Sequence, residues 1–271
     1  MKKIPKRIYF IFITIAFFLF LNIIYPSLFW GILASTDNSE VVSSPESVPH
    51  TIMVELFVQS TCTTCPIAEF CLEDLAWEYG PSKFILVQEH LWGDGYDTPE
   101  TNARYDWYVG EGDRGTPDVF INGLTKRFLG LFCDCAEGNY ECYKNAIDEE
   151  LGKQSFLQIS AARRQEGSAL IIEGTVKNLS DQPLENLAVS GMLGREKNEP
   201  GLYNYIQDIF PFLEIPVFSP GAIFSFTFYP EINFPLTTNG KEKEDTSEVL
   251  HLVVFVQNLK TKEILQALYL E

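Results

Sequence analysis

The hydrophobic pattern of the segment from about residue 51 to 154 changes repeatedly between strand-like and helix-like spacing. Short apolar runs typical of buried strands cover 51–58, 83–92, 117–121 and 126–130. Helical spacing or capping signals cover 60–80, 98–110 and 139–153. The turn Asn122-Gly123-Leu124-Thr125 predicts a hairpin between the last two strands. The resulting order, β-α-β-α-β-β-α, predicts an α/β fold with helices on the faces of a sheet.

The remaining segment, residues 155–271, has a different pattern. Apolar and polar residues alternate in short runs between turn clusters, and helical spacing is lost. The runs are FLQISA, ALIIEGTVKN, ENLAVSGML, AIFSFTFYP, HLVVFVQN and EILQALYL. Strands at this spacing predict an antiparallel β-sandwich of roughly 115 residues.

The first 36 residues have the pattern of an export signal. Four basic residues, ending at Arg7, precede an apolar stretch over 8–33, which is long enough for a spanning helix of about 20 residues. By the positive-inside rule, the bases stay in the cytoplasm and the chain after residue 36 lies outside. The small residues Ala34 and Ser35 leave cleavage of a signal peptide as the alternative. Residues 37–50, rich in Ser, Pro and acids, predict a solvated linker.

The net charge excludes two classes of partner. The chain has a formal charge of −17, and its first 36 residues hold four bases and no acid, so the exported part is more acidic still. Such a surface repels phosphate backbones and anionic lipid headgroups. We therefore expect no binding to nucleic acid, and contact with the membrane through the N-terminal helix alone.

The six cysteines lie between residues 62 and 142, so the first folded domain holds the thiol chemistry. In an exported protein, cysteines form lasting disulfides. Cys62 and Cys65, in the sequence Cys-Thr-Thr-Cys-Pro, stand where a strand ends and a helix begins. A helix N-terminus favours a thiolate and lowers the pKa of a cysteine. We therefore expect Cys62 to be a nucleophile, and Cys65, one turn deeper, to resolve the mixed disulfide.

The segment 51–154 resembles the thioredoxin-like superfamily. Its motifs VELFVQSTCTTCP, QEHLWGD and GTPDVFING are most similar to a family of exported bacterial thioredoxin-like proteins of uncharacterised function. The resemblance implies that the Thr116–Pro117 bond is cis and presents the backbone of Thr116 to an extended substrate peptide. It also implies a catalytic role for Glu55, which resembles the buried carboxylate that assists proton removal from the resolving cysteine. A structural role is the alternative, because Glu55 stands one residue further from Cys62 than the usual spacing.

Other chemistries are open to the Cys-x-x-Cys pair. With His90, at the end of the second strand, Cys62 and Cys65 resemble the site of copper-delivery proteins of the same superfamily, which suits Cu(I) or another soft metal. Those proteins place three residues between their cysteines, not two. A zinc site needs four ligands, and the chain has no second Cys-x-x-Cys. An inert disulfide and a non-catalytic binding module are the remaining alternatives.

Four further cysteines lie outside this motif: Cys71, Cys133, Cys135 and Cys142. Cys71 follows Cys65 by six positions, so it points about 240° around the helix, away from the pair. Four cysteines allow three pairings, and we expect two structural disulfides that tie the hairpin extension to the helices. A zinc site and a redox relay to the surface are the alternatives.

These features together predict a thioredoxin-like domain over 51–154 and an immunoglobulin-like sandwich over 155–271. The second prediction depends on EGTVKNLSDQPLENLAVSG, which resembles sandwiches appended to exported bacterial proteins and implies a spacer or docking surface. We predict an extracytoplasmic thiol-disulfide oxidoreductase of the cell envelope, with no cofactor and no metal. The expected partners are cysteine-containing exported proteins and a membrane or soluble redox partner.

Overall fold

The computed structural model describes residues 46–131, 136–167, 169–196, 203–230 and 249–270. The predicted signal segment 1–36, the linker up to residue 45, Cys133 and Cys135 lie outside these residues. Within the described ranges, no helix is long and apolar enough to cross a membrane.

The described part of the chain is mixed α/β, with its helices in the first half and strands throughout. The helices are α1 (Cys65–Tyr79), α2 (Pro99–Val109) and α3 (Ala136–Leu151). The strands are β1 (Val48–Pro49), β2 (Ile52–Val58), β3 (Phe84–His90), β4 (Asp118–Ile121), β5 (Lys126–Leu129), β6 (Gln154–Ser155), β7 (Leu157–Glu166), β8 (Ala169–Asn178), β9 (Leu187–Glu196), β10 (Tyr205–Ile209), β11 (Leu213–Ile215), β12 (Ile223–Phe228), β13 (Val249–Asn258) and β14 (Ile264–Leu270).

The main sheet joins strands from both halves of the chain. Its order is β14-β13-β9-β10-β3-β2-β4-β5, and β11 pairs with β9. Strand β3 is parallel to β2, whereas β4 is antiparallel to β2 and to β5. Strand β10 is parallel to β3, with Tyr205 beside Gln88. The pairing of β3 with β10 crosses the predicted boundary at residue 154, so the sheet of the α/β part continues into later strands.

Strand β2 leads to the cysteine loop, and its two faces have different partners. Its seven residues are all buried, as expected for a central strand covered on both sides. Even-numbered residues, such as Leu56 and Val58, pack with α1 and α3 in one core. Met53 and Phe57 face the other way and pack in two further clusters. This alternation decides which side chains of β2 lie on the side of α1.

Most strands after residue 154 lie in two packed layers. The sheet β12-β8-β7 packs on β9, β13 and β14 through apolar residues that include Ile172, Phe226 and Val254. The opposite face of β13 packs, with Val253, against Met53 and other residues of the α/β part. The two parts therefore share an apolar cluster in addition to the continuous sheet.

Two local predictions are confirmed. Thr98 caps α2: its hydroxyl accepts from the N–H of Thr101 at 3.1 Å, and its own N–H donates to Thr101 Oγ1 at 3.0 Å. Strands β4 and β5 form the predicted hairpin, in which Asn122 and Gly123 have φ values of 48° and 64°. The last helix begins earlier than predicted, at Ala136.

Candidate functional site

Cys62 and Cys65 come together where the loop after β2 enters α1. Their Sγ atoms are 2.18 Å apart and their Cα atoms 5.5 Å apart, which is the arrangement of a disulfide. Strand β2 ends at Val58, and α1 begins at Cys65. The pair therefore lies at the carboxyl end of a strand and the N-terminus of a helix, as the sequence predicts. Open α/β sheets place their ligand sites at this end of their strands.

Hydrogen bonds hold the loop that carries Cys62. The N–H of Cys62 donates to the carbonyl oxygen of Gln59 at 2.9 Å. The N–H of Ser60 donates to Asp94 Oδ2 at 2.9 Å, which joins the loop to the segment after β3. Pro66 lies in the first turn of α1, where its missing N–H removes no helical hydrogen bond. These contacts keep Cys62 at the entrance of the helix.

The first turn of α1 directs a backbone donor at the sulfur of Cys62. The N–H of Cys65 donates to Cys62 Sγ at 3.0 Å. Thr64, at the N-cap position, makes no side-chain cap hydrogen bond, and its Oγ1 lies 3.6 Å from the same sulfur. The Cys62 sulfur thus takes the place of a capping acceptor, where the helix dipole favours negative charge. After reduction, these groups favour the thiolate of Cys62.

The two cysteines differ in their access to solvent. Cys62 is half-buried. Cys65 is 2% exposed and packs in the core that contains Leu56 and Val58. An incoming thiol or disulfide therefore reaches Cys62 first. This difference fits the predicted division into an outer nucleophile and an inner resolving cysteine.

His90 lies beside the cysteine loop and is linked to it through Asp94. It pairs with Val58 in the register of β2 and β3. Its Nδ1 is 2.6 Å from Asp94 Oδ2, the oxygen that also accepts from the N–H of Ser60. Among the described residues, no group of three His, Cys, Asp or Glu side chains is arranged to hold a metal ion. The copper-binding alternative needs His90 beside both cysteines, and this set is not formed in the disulfide-bonded structure.

The peptide bond between Thr116 and Pro117 is cis, as the resemblance implies. Thr116 is half-buried and Pro117 is buried. Asp118, the next residue, opens β4 opposite Phe57 of β2. Phe57 immediately precedes Val58, the end of β2, so the bond lies at the same end of the sheet as the cysteine loop.

The structure corrects the prediction that Glu55 serves the cysteine pair. Glu55 is an odd-numbered residue of β2, so its side chain points away from the face that packs with Cys65. It is fully buried, its Oε1 accepts from Arg104 Nε, and its Oε2 accepts from the Tyr108 hydroxyl at 2.6 Å. The physical reason is the one-residue shift from the usual spacing, which reverses the face on a strand. Glu55 therefore belongs to a buried ion pair.

The surroundings of Glu55 form a buried polar cluster that sequence reasoning missed. Burial, followed by the nearby charge of Glu55, raises the pKa of Glu89 well above its usual value. Arg104 Nη2 donates to Gln257 Oε1 at 3.3 Å, and Gln257 Nε2 donates to the Tyr108 hydroxyl at 2.7 Å. Glutamates within otherwise apolar strands, such as Glu55 and Glu89, are the sequence signal of such a cluster, because buried acids need partners.

A second buried acid lies on the cysteine side of the sheet. Glu69 follows Cys65 by four residues on α1 and is 8% exposed. Burial, and then the neighbouring Glu73, raises the pKa of Glu69 to about 7. Glu73 accepts a hydrogen bond from Gln88 Nε2 of β3 at 3.0 Å. Sequence reasoning overlooked Glu69, although its spacing from Cys65 on a predicted helix was the available signal.

Two of the remaining cysteines lie on the helices of this face. Cys71 is buried in the core between α1 and α3, and Cys142 of α3 is half-buried. Cys133 and Cys135 lie outside the described residues. The pairing of these four cysteines therefore stays a prediction.

Comparison with known proteins shows a shared fold. No protein-family model and no curated protein matches the chain. HBP35 of Porphyromonas gingivalis has a similar structure, with a TM-score of 0.60 and 17% identity, over 82% of this chain and 75% of that chain. A domain of the outer membrane lipoprotein Omp28 from Porphyromonas gingivalis aligns with 42% of this chain and 86% of its own, with a TM-score of 0.27 and 20% identity. The likeness to HBP35, at 17% identity, shows the fold alone.

Proposed function

We propose that this chain is an extracytoplasmic thiol-disulfide oxidoreductase, in which a thioredoxin-like domain carries the reaction and an immunoglobulin-like sandwich is attached to it. The observation that carries the proposal is the hydrogen bond from the N–H of Cys65 to Cys62 Sγ at the start of α1. A sulfur in that position is stabilised as a thiolate, and Cys62 is exposed enough to meet another protein. An inert disulfide needs neither property.

The proposed reaction exchanges disulfides between the cysteine pair and a substrate. In the reduced chain, the Cys62 thiolate attacks one sulfur of a substrate disulfide, the bond between the substrate sulfurs breaks, and the other sulfur leaves as a thiolate. Cys65 then loses its proton and attacks Cys62 Sγ, and the second substrate sulfur leaves. The substrate gains two electrons, which the pair loses by forming the Cys62–Cys65 disulfide. The same steps in reverse oxidise a dithiol substrate.

The proposed substrate is an extended, cysteine-containing segment of an exported protein. The backbone of Thr116, at the same end of the sheet as Cys62, would pair with such a segment. Trp92, 43% exposed, packs edge-on against Tyr105, with ring centroids 5.7 Å apart. The Tyr105 hydroxyl accepts a hydrogen bond from the N–H of Gly115 at 3.0 Å, immediately before Thr116. Tyr105 therefore contacts both Trp92 and the loop that contains Thr116. An exposed aromatic here suits the apolar side chains that flank a substrate cysteine.

The proposed location and partners follow from this chemistry. Six cysteines within one domain, two of them joined as a disulfide, suit the oxidising, extracytoplasmic side of the cell envelope. The segment 1–36 would anchor the chain in the membrane through its helix, or would be removed as a signal peptide. A membrane or soluble redox partner must restore the pair after each turnover, because the exchange leaves it in the opposite redox state.

Trapping of the mixed disulfide tests the proposal. In Cys65→Ser, the Cys62 thiolate still attacks but nothing resolves the adduct, so covalent complexes with exported proteins accumulate and disappear on reduction. Cys62→Ser is the matched control, because the buried Cys65 is a poor target for partners. Non-reducing gels and mass spectrometry measure the yield and the linked residue. Absence of adducts in Cys65→Ser, or equal yields in the two variants, would overturn the proposal.

A further inference from the structure

The proposed exchange needs an acceptor for the proton of Cys65. Cys65 is 2% exposed, so bulk water has little access to its sulfur, and its thiol must lose a proton to attack Cys62. Glu55 lies on the other face of β2 and is bonded to Arg104 and Tyr108. The acceptor must therefore be another group on the α1 side of the sheet.

We propose that Glu69 is the general base of the resolving step, in which its carboxylate accepts the proton of Cys65. The inference rests on the function proposed above. Glu69 stands one helical turn after Cys65, and side chains at i and i+4 are neighbours, with Cβ atoms about 5–6 Å apart. Both residues are on the buried side of α1. Their thiol and carboxyl groups therefore share one face of the helix.

The carboxyl group of Glu69 is free to exchange a proton. In the part of the chain that the structure describes, no hydrogen bond or ion pair holds it. A buried carboxylate without such partners is costly and lowers its free energy by binding a proton. Glu55 is the opposite case, because Arg104 and Tyr108 hold its two oxygens. Glu69, whose oxygens are not held in this way, is therefore placed to gain and release a proton during a reaction.

The electrostatic surroundings suit this role near neutral pH. Burial, followed by Glu73, raises the pKa of Glu69 to about 7. A group with a pKa near the working pH combines a useful ionised fraction with sufficient basicity. Besides Glu73, the titratable groups on this side of the sheet include His90 of β3, which is held by Asp94, and Glu196 of β9, which acts on Glu73 and pairs with His251 of β13. They also include Cys71 and Tyr79 of α1, Tyr140 and Tyr143 of α3, Tyr203 before β10, and Tyr269 of β14.

The proton balance of the resolving step is then complete. The Cys65 thiol gives its proton to the Glu69 carboxylate, and its sulfur forms a bond with Cys62 Sγ. The bond between Cys62 and the substrate sulfur breaks, and that sulfur leaves as a thiolate. Glu69 afterwards releases its proton to solvent. In the reverse direction, Glu69 returns a proton to Cys65 as the internal disulfide opens.

A two-phase reaction of the reduced full chain separates this step from the first one. With dithiobis(nitrobenzoate), attack by Cys62 releases one coloured thiolate, and attack by Cys65 releases a second. Cys62→Ser/Cys65→Ser, reduced and treated in the same way, gives the colour released by the other four cysteines, which is subtracted. In the unaltered chain, we expect the second phase to accelerate as the pH rises through about 7, because protonated Glu69 cannot accept a proton below that pH. In Glu69→Gln, we expect the second phase to be at least about a hundredfold slower at neutral pH. The pH range in which the second phase accelerates should also move upward in this variant, because Cys65 must then lose its proton without a carboxylate to accept it.

Two variants separate this role from a structural one. Glu73→Gln removes an acid from the same helix, one turn further from Cys65. It also lowers the pKa of Glu69, so the second phase should keep its plateau rate and rise at a lower pH. Glu69→Asp keeps a carboxyl group and should restore part of the second-phase rate, which a folding defect at this position would not allow.

The outcomes distinguish this inference from the function it rests on. If the second phase in Glu69→Gln keeps both its rate and its pH dependence, Glu69 does not accept the proton, while a normal first phase still supports disulfide exchange. If Cys62 releases no coloured thiolate in the unaltered chain, the proposed function fails and the inference fails with it.

Discussion

At the scale of single residues, the face of a strand decides the role of a buried acid. Glu55 lies between Arg104 and Tyr108 and is fully paired. Glu89, also fully buried, lies 3.8 Å from Arg104, and burial, followed by the nearby charge of Glu55, raises its pKa well above the usual value. Glu55 is therefore the carboxylate that pairs most closely with the buried cation. Removal of the partner of a buried charge is far more costly than removal of a neutral group.

We predict different stabilities for two variants of this cluster. Glu89→Gln replaces a carboxyl group whose raised pKa favours the neutral form, and it should change the free energy of unfolding by less than about 1 kcal/mol. Glu55→Gln/Glu89→Gln leaves Arg104 without any carboxylate and should lower it by about 3–5 kcal/mol. Urea unfolding at neutral pH measures both. If Glu89→Gln alone were as costly as the double variant, Glu89 would be the charged partner.

The sequence predicts those features of the site that depend on neighbouring residues in the chain. The strand-loop-helix placement of Cys62 and Cys65 follows from apolar spacing and the proline after the pair. The direction of Glu55 depends on the face of β2, and a one-residue shift in spacing reverses it. Its pairing with Arg104 joins residues of a strand and a later helix, which no local pattern specifies. The local pattern therefore indicates the cysteine pair and the presence of buried acids, but not the partners of those acids.

At the scale of elements, the β4–β5 hairpin closes the far end of the α/β sheet. Its Asn122-Gly123 turn is visible in the sequence. Asn122 Oδ1 accepts from the N–H of Met53 at 3.0 Å, near the start of β2. Gly123 also forms a bridge to Glu263, before β14, and a Cβ at Gly123 would overlap the carbonyl oxygen of Lys262. The hairpin was predictable from the sequence, but the contact of Gly123 with the turn at Lys262 and Glu263 was not.

We predict that two glycines with similar backbone conformations tolerate alanine differently. Gly130 has φ +71° and open space where a Cβ would lie, so Gly130→Ala should cost about 1–2 kcal/mol, from its left-handed conformation alone. Gly123, at φ +64°, would add a clash with Lys262, so Gly123→Ala should cost about 1–3 kcal/mol more. Urea unfolding compares the two variants. Equal losses would show that the turn before β14 moves away without cost.

At the scale of the whole molecule, the two predicted domains are joined by backbone and by core. The N–H of Gln88 donates to the carbonyl oxygen of Asn204 at 3.2 Å, and Asn204 Nδ2 donates to Leu86 O at 2.6 Å. Met53 of β2 and Val253 of β13 belong to one apolar cluster. Alternating hydrophobicity identifies strands but not their partners, so the sequence predicts two kinds of layer and not their shared sheet. Shared strands and a shared core favour unfolding as one unit.

We therefore predict that a cavity in the sandwich destabilises the α/β part. Val254 faces the core between the two layers, and its neighbour Val253 faces the shared cluster. Three of the four tryptophans, Trp77, Trp92 and Trp107, lie in the α/β part, so their fluorescence reports on it. Val254→Ala should lower the fluorescence-detected free energy of unfolding by about 1–3 kcal/mol, as Val253→Ala should. An unchanged fluorescence transition in Val254→Ala, beside a shifted one in Val253→Ala, would show that the sandwich unfolds independently.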